Sequence, residues 1–91
     1  MTAYWKGRWN EYYVERLLRG MGYRYVIRSH ASRGPGDLLA SNGEEIMYVQ
    51  VKEHGNISDK ERVRLVEWAS AFHAIPALAY KRKRRWRIEL L

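Results

Sequence analysis

Asp37, Gln50 and Lys52 set a carboxylate, an amide and an ammonium in the spacing D-x12-Q-x-K. Gln50 and Lys52 close the run EIMYVQVK (45–52), whose isoleucine, tyrosine and valines favour a largely buried strand. Side chains alternate along a strand, so Gln50 and Lys52 share one face while Val49 and Val51 share the other. DLLAS, then Asn42-Gly43, then that run predicts a β-hairpin, Asn-Gly being the strongest short hairpin signal. With a two-residue turn the paired positions sum to 85 and Asp37 faces Tyr48; with a longer loop they sum to 87 and Asp37 faces Gln50. A shift of two preserves the face, so Asp37 lies with Gln50 and Lys52 in either register. Carboxylate and amide oxygens are hard ligands suited to Mg2+ or Mn2+. A lysine beside such an ion could hold an attacking water or neutralise charge on a phosphoryl transition state. The chemical logic is that of a metal-dependent nuclease, although the bare string arises often by chance and a solvated strand end also produces it.

These groups need elements to hold them. Val14, Leu17, Leu18 and Met21 recur at helical spacing and predict a helix over 7–21, ended by Gly20 and Gly22. Glu11 stands three and seven residues before Val14 and Leu18, at the margin of the stripe that should pack on the sheet, and is a candidate fourth member of the site. YRYVIR (23–28) is a strand candidate, and SHASRGPG (29–36) is a loop by composition. Ser58-Asp59-Lys60-Glu61 is a capping box that opens a second helix carrying Leu65, Trp68, Ala69 and Phe72. PALAY (76–80) and WRIEL (86–90) read as closing strands around KRKRR. The order αβββαββ predicts an α+β domain with one mixed sheet flanked by helices.

Ninety-one residues suffice for one small core. Lys and Arg number 17 against 10 Asp and Glu, a net charge of +7, which favours a polyanionic partner and nucleic acid before membrane. The absence of cysteine excludes disulfides and cysteine-ligated zinc and fits an intracellular setting. A mean hydropathy of −0.60 and the lack of a spanning or signal-like apolar run lead to the expectation of a cytoplasmic protein with no membrane partner.

The segment KGRWNEYYVERLLRGMGYRYVIRSHASRGPGDLLASNGEEIMYVQVK resembles the archaeal-type Holliday junction resolvases of the PD-(D/E)xK nuclease superfamily. The family's opening K-G-x-x-x-E is matched by Lys6, Gly7 and Glu11, its arginine after the first strand by Arg28, and its loop serine by Ser32. Its metal-binding aspartate falls at Asp37, the acid of its E-x-K motif at Gln50 and the lysine at Lys52. RLVEWASAFHAIPALAYKRKRRWRIELL is similar to the family's second helix and last two strands, so the likeness covers nearly the whole chain. It implies a single nuclease domain over 1–91 with a restriction-endonuclease-like fold. The implied activity is Mg2+-dependent hydrolysis (Mn2+ substituting) of four-way DNA junctions by a homodimer. Glu11, Asp37 and Gln50 would bind the ion together with the Val51 carbonyl, and Lys52 would orient the attacking water. Other branched or modified DNA, or DNA binding without catalysis, are the alternative readings.

Three positions depart from the family pattern. Gln50 replaces an acid and removes one negative charge; Mrr-type restriction nucleases, which resemble this superfamily and are active, also carry glutamine there. Tyr12 stands where a basic residue is usual, and Gly36 separates Pro35 from Asp37. Arg28, Ser32 and Arg33 are candidate phosphate contacts near the scissile bond, and Lys6 and Arg8 are candidates ahead of the first helix; solvated basic surface is the plain alternative. KRKRR (81–85) reads first as a charged hairpin tip. His30, His54 and His73 share no ligand spacing, and only His30 lies near Asp37 in sequence. Tyr4, Trp5, Trp9, Tyr12 and Tyr13 offer apolar surface for a dimer contact alongside the second helix.

Overall fold

The computed structural model describes residues 3–29 and 34–91, with side chains from residue 9 onward within that set. The elements follow the expected order: α1 (Ala3–Gly20), β1 (Tyr25–Arg28), β2 (Leu38–Ser41), β3 (Ile46–Val51), α2 (Asp59–Ala71), β4 (Ile75–Arg82) and β5 (Arg85–Leu90). The strands form one sheet in the order β1-β2-β3-β4-β5, with only the β3–β4 pair parallel. That parallel step is the crossover through α2, since parallel neighbours need a connection long enough to return to the same end of the sheet.

Helix α1 starts earlier than the expected residue 7, at Ala3. It ends as its glycines predict. Gly22 takes φ +100, its N–H donates to the Arg19 carbonyl at 3.1 Å, and the Tyr23 N–H donates to the Leu18 carbonyl at 2.9 Å. This pairing satisfies helix-end carbonyls and turns buried Tyr23 onto Leu18 in the same cluster. The opening of α2 is the capping box: the Glu61 N–H donates to Ser58 Oγ at 3.1 Å, and the Ser58 N–H donates to Glu61 Oε1 at 3.4 Å.

The two helices cover opposite faces of the sheet. Val14 and Leu18 of α1 pack with Leu38, Ala40, Met47, Val49, Ala77 and Ala79. Leu65 and Ala69 of α2 pack with Tyr48 on the other side, where Leu39 and Trp68 join them. Strand alternation therefore sorts each strand residue to one helix or the other. Leu38 and Leu65 have no exposed surface, and each such burial stabilises the fold by about 1.5–3 kcal/mol. Leu38 opposite Val49 gives a pairing sum of 87, the longer-loop register. The turn is accordingly 42–45 rather than Asn42-Gly43 alone: Asn42 Oδ1 accepts from the N–H groups of Glu44 at 2.8 Å and Glu45 at 2.7 Å. An asparagine side chain that serves two backbone donors favours this wider loop over a two-residue turn.

Candidate active site

Asp37 is delivered by a loop pressed flat against an aromatic ring. The Gly36 N–H donates to the Tyr48 hydroxyl oxygen at 2.9 Å, and a Cβ at Gly36 would run into the Tyr48 ring. Tyr48 is buried under α2, so the ring has little room to give way. Asp37 is then clamped between two strands. Its N–H donates to the Val49 carbonyl at 2.7 Å, and its carbonyl accepts from the Ser29 N–H at 2.9 Å. One carboxylate oxygen, Oδ2, accepts from the Val51 N–H at 2.7 Å. Burial pushes the Asp37 carboxyl above the ordinary aspartate value; the Val51 N–H and the Lys52 charge pull the other way and do not offset it.

Gln50 lies opposite Asp37 in this register, on the sheet face that α2 covers. Its Nε2 donates to Glu61 Oε2 at 3.4 Å, which turns Oε1 away from the helix. That oxygen is buried and has no hydrogen-bond partner among the described residues. Lys52 follows on the same face, its backbone N–H fixed to the Ala79 carbonyl at 2.9 Å and its Nζ 2.9 Å from Glu61 Oε2. Asp37, Gln50 and Lys52 thus come together as their spacing predicts. A half-buried carboxylate held above its usual pKa and a buried amide oxygen without a partner among the described residues are two hard donors that suit a divalent cation. Among the described residues no group of three or more His, Asp or Glu is placed to hold a metal.

Glu61 is the member that sequence reasoning assigned elsewhere. S-x-x-E signalled a helix cap, and the cap is present; the strand residues whose side chains reach Glu61 lie 9 and 11 positions upstream, where no local pattern links them. The Lys52 ammonium and the Ser58 N–H and hydroxyl hold the Glu61 carboxyl below the ordinary glutamate value.

The remaining candidates are spread around this centre. Glu11 is half-buried on the turn before Val14, and α1 packs on the sheet face opposite Gln50, so Glu11 approaches from the far side of the sheet. Arg28 Nε lies 3.4 Å from Glu15 Oε1, so a phosphate would have to draw Arg28 from an existing carboxylate partner. The side chains of Lys6 and Arg8, and all of His30, Ser32 and Arg33, lie outside the described residues.

Comparison with known proteins places these features in context. The family model described as archaeal Holliday junction resolvase (hjc) matches residues 2–90. A solved structure of Hjc from Archaeoglobus fulgidus, a Holliday junction resolvase from an archaeal hyperthermophile, superposes with a TM-score of 0.76 at 28% identity, covering 93% of this chain and 72% of that one. UPF0102 proteins of Acinetobacter baumannii are similar over a shorter stretch: 34% identity over 56 residues in strain AYE and 36% over 50 residues in strain SDF. Those stretches are 42% and 38% of the relatives' own length, so the matched region spans less than half of each.

Proposed function

Because the chain belongs to the archaeal Holliday junction resolvase family, we propose that it is a metal-dependent endonuclease that resolves four-way DNA junctions as a homodimer. The observation that carries this reading is the orphaned Gln50 oxygen beside the half-buried Asp37 carboxylate, with the Lys52 ammonium on the same face. Asp37 and Gln50 would hold Mg2+ or Mn2+ with the Val51 carbonyl as a further oxygen donor, and Glu11, whose helix packs on the opposite sheet face, would have to reach the ion from the other side. Bound there, the ion would polarise the scissile phosphate and lower the pKa of a coordinated water. Lys52 orients the attacking water and neutralises charge that builds on the phosphoryl oxygens. Asp37 is fixed by the Val51 N–H and both neighbouring strands, so its carboxylate needs little reorganisation on binding the ion. Arg28, Ser32 and Arg33 at the loop, and Lys6 and Arg8 ahead of the helix core, supply phosphate contacts that position the arms without reading bases.

A synthetic four-way junction and a linear duplex of the same sequence, each with Mg2+ and with chelator, test the assignment. Paired nicks near the crossover that require Mg2+ are expected. Cutting of linear duplex alone would redirect the reading to another DNA target, and tight junction binding without cutting would make the chain a non-catalytic relative.

A further inference from the structure

Glu61 divides its two oxygens between two tasks. Oε1 faces Ser58, taking its N–H at 3.4 Å and its hydroxyl at 3.1 Å, and closes the first turn of α2. Oε2 faces the sheet and takes both the Lys52 ammonium at 2.9 Å and the Gln50 Nε2 at 3.4 Å. A capping box uses the N3 side chain only toward the cap, so the second set of contacts is additional to what helix initiation requires. It also settles which way the Gln50 amide points. With Nε2 on a carboxylate, the acceptor Oε1 is left buried and without a partner among the described residues. An amide turned the other way would set its oxygen against the Glu61 carboxylate, an unfavourable lone-pair contact.

We propose that Glu61 is a positioning residue of the active site: from the first turn of α2 it supplies the negative charge that position 50 lacks, locks Gln50 with its oxygen toward the metal side, and holds Lys52 against the strand. The inference rests on the nuclease reading of Asp37, Gln50 and Lys52 and assigns their support to a residue outside that set. Charge is the reason the arrangement closes. An acid at position 50 beside Glu61 would put two carboxylates on one ammonium and raise the pKa of one of them. A glutamine at 50 with a glutamate at 61 leaves one carboxylate, one amide donor and one ammonium, and each donor has an acceptor. The negative charge sits on the helix and the neutral oxygen on the strand, so the two positions should be interdependent.

The test is a swap. Glu61→Gln keeps a residue that serves the capping box equally well, so the fold and the junction affinity in chelator should stay at wild-type levels. Mg2+-dependent cleavage of the four-way junction should fall by about 10- to 100-fold, the usual cost of removing a group that orients a metal ligand. Gln50→Glu with Glu61→Gln returns the carboxylate to the strand and should recover most of the lost rate, whereas Gln50→Glu alone should be slower than the double variant. Mn2+ affinity of the free protein, read by electron paramagnetic resonance, supplies a measure that does not need cleavage. It should fall in Glu61→Gln and recover in the double variant. A chain that does not cut junctions would refute the resolvase assignment, and the Mn2+ series would still decide the role of Glu61. Cleavage or Mn2+ affinity within twofold of wild type in Glu61→Gln, or a double variant no better than Glu61→Gln, would reduce Glu61 to a helix cap.

Discussion

At the scale of single residues, the proposed site depends on one half-buried carboxylate. Asp37→Asn keeps an oxygen that can accept the 2.7 Å bond from the Val51 N–H, so the strand pairing should survive. The charge is lost, and with it the strongest ligand for a hard cation. Cleavage should drop by at least about 100-fold while junction affinity in chelator is unchanged, because affinity rests on the basic surface. Rates and filter-binding isotherms on one preparation check both halves, and near wild-type cutting would place the metal elsewhere. Asp37, Gln50 and Lys52 were legible in the sequence because strand alternation has period two and a hairpin register shift of two cannot change faces. Glu61 was not, because Ser58-Asp59-Lys60-Glu61 is fully accounted for as a cap; its second role depends on where the helix lands after the crossover. Glu11 was legible as a helix-margin acid, yet which sheet face its helix would cover was not.

Among the elements, the β4–β5 hairpin carries both strain and charge at its tip. Lys83 and Arg84 hold φ of 52° and 65°, left-handed conformations that side chains with a Cβ rarely adopt, and Arg82 sits directly opposite Arg85. A two-residue turn with both residues left-handed suits the twist of the flanking strands and favours Asn-Gly. Replacing Lys83 by asparagine and Arg84 by glycine should relieve about 1 kcal/mol of strain and raise the midpoint of thermal unfolding by about 4–8 °C in a chain of this size. The same change removes two cations. If the tip lies on a phosphate backbone, the slope of log affinity against log salt should become shallower by about 1.8. Stabilisation with a shallower slope is the expected pair of results, and an unaltered slope would mean that KRKRR is solvated charge. The sequence marked this hairpin through the basic run between two apolar ones. It did not show that β4 and β5 extend into the run and leave only Lys83 and Arg84 to turn, since five consecutive basic residues carry no alternation to mark a strand end. Conversely, Asn42-Gly43 left two registers open, and the longer loop forms because the asparagine side chain works here as an acceptor for the two residues that follow Gly43.

For the whole molecule, what matters is how two helices share one five-stranded sheet. Helix α2 packs over β3 and β4 and reaches Leu39 of β2, while Tyr25 and Ile27 of β1 on the same face stay exposed among the described residues. Tyr25 and Ile27 there are 61% and 64% exposed, and Phe72 at the end of α2 is 44% exposed. Two adjoining hollows of about 470 and 160 Å³ share Ile27 and Leu39. A sheet normally buries its apolar face against another layer, so this surface is where the proposed homodimer would seat its second copy. The aromatic residues of α1 are the weaker candidate: Trp9, Tyr12 and Tyr13 are exposed but already pack edge-on or tilted against one another, and the side chains of Tyr4 and Trp5 lie outside the described residues. A four-way junction has approximate two-fold symmetry, and productive resolution needs paired nicks, so two sites related by a two-fold axis suit it. Sedimentation at micromolar concentration should give twice the 10.9 kDa chain mass. Ile27→Glu sets a charge on that face without touching the core and should weaken the dimer by about 30-fold, the weight of a 2 kcal/mol hot spot, whereas Tyr13→Glu should leave it intact. The reverse pattern would move the interface to α1. A wild-type chain that remains monomeric on junction DNA would leave one nick per encounter and count against resolution altogether.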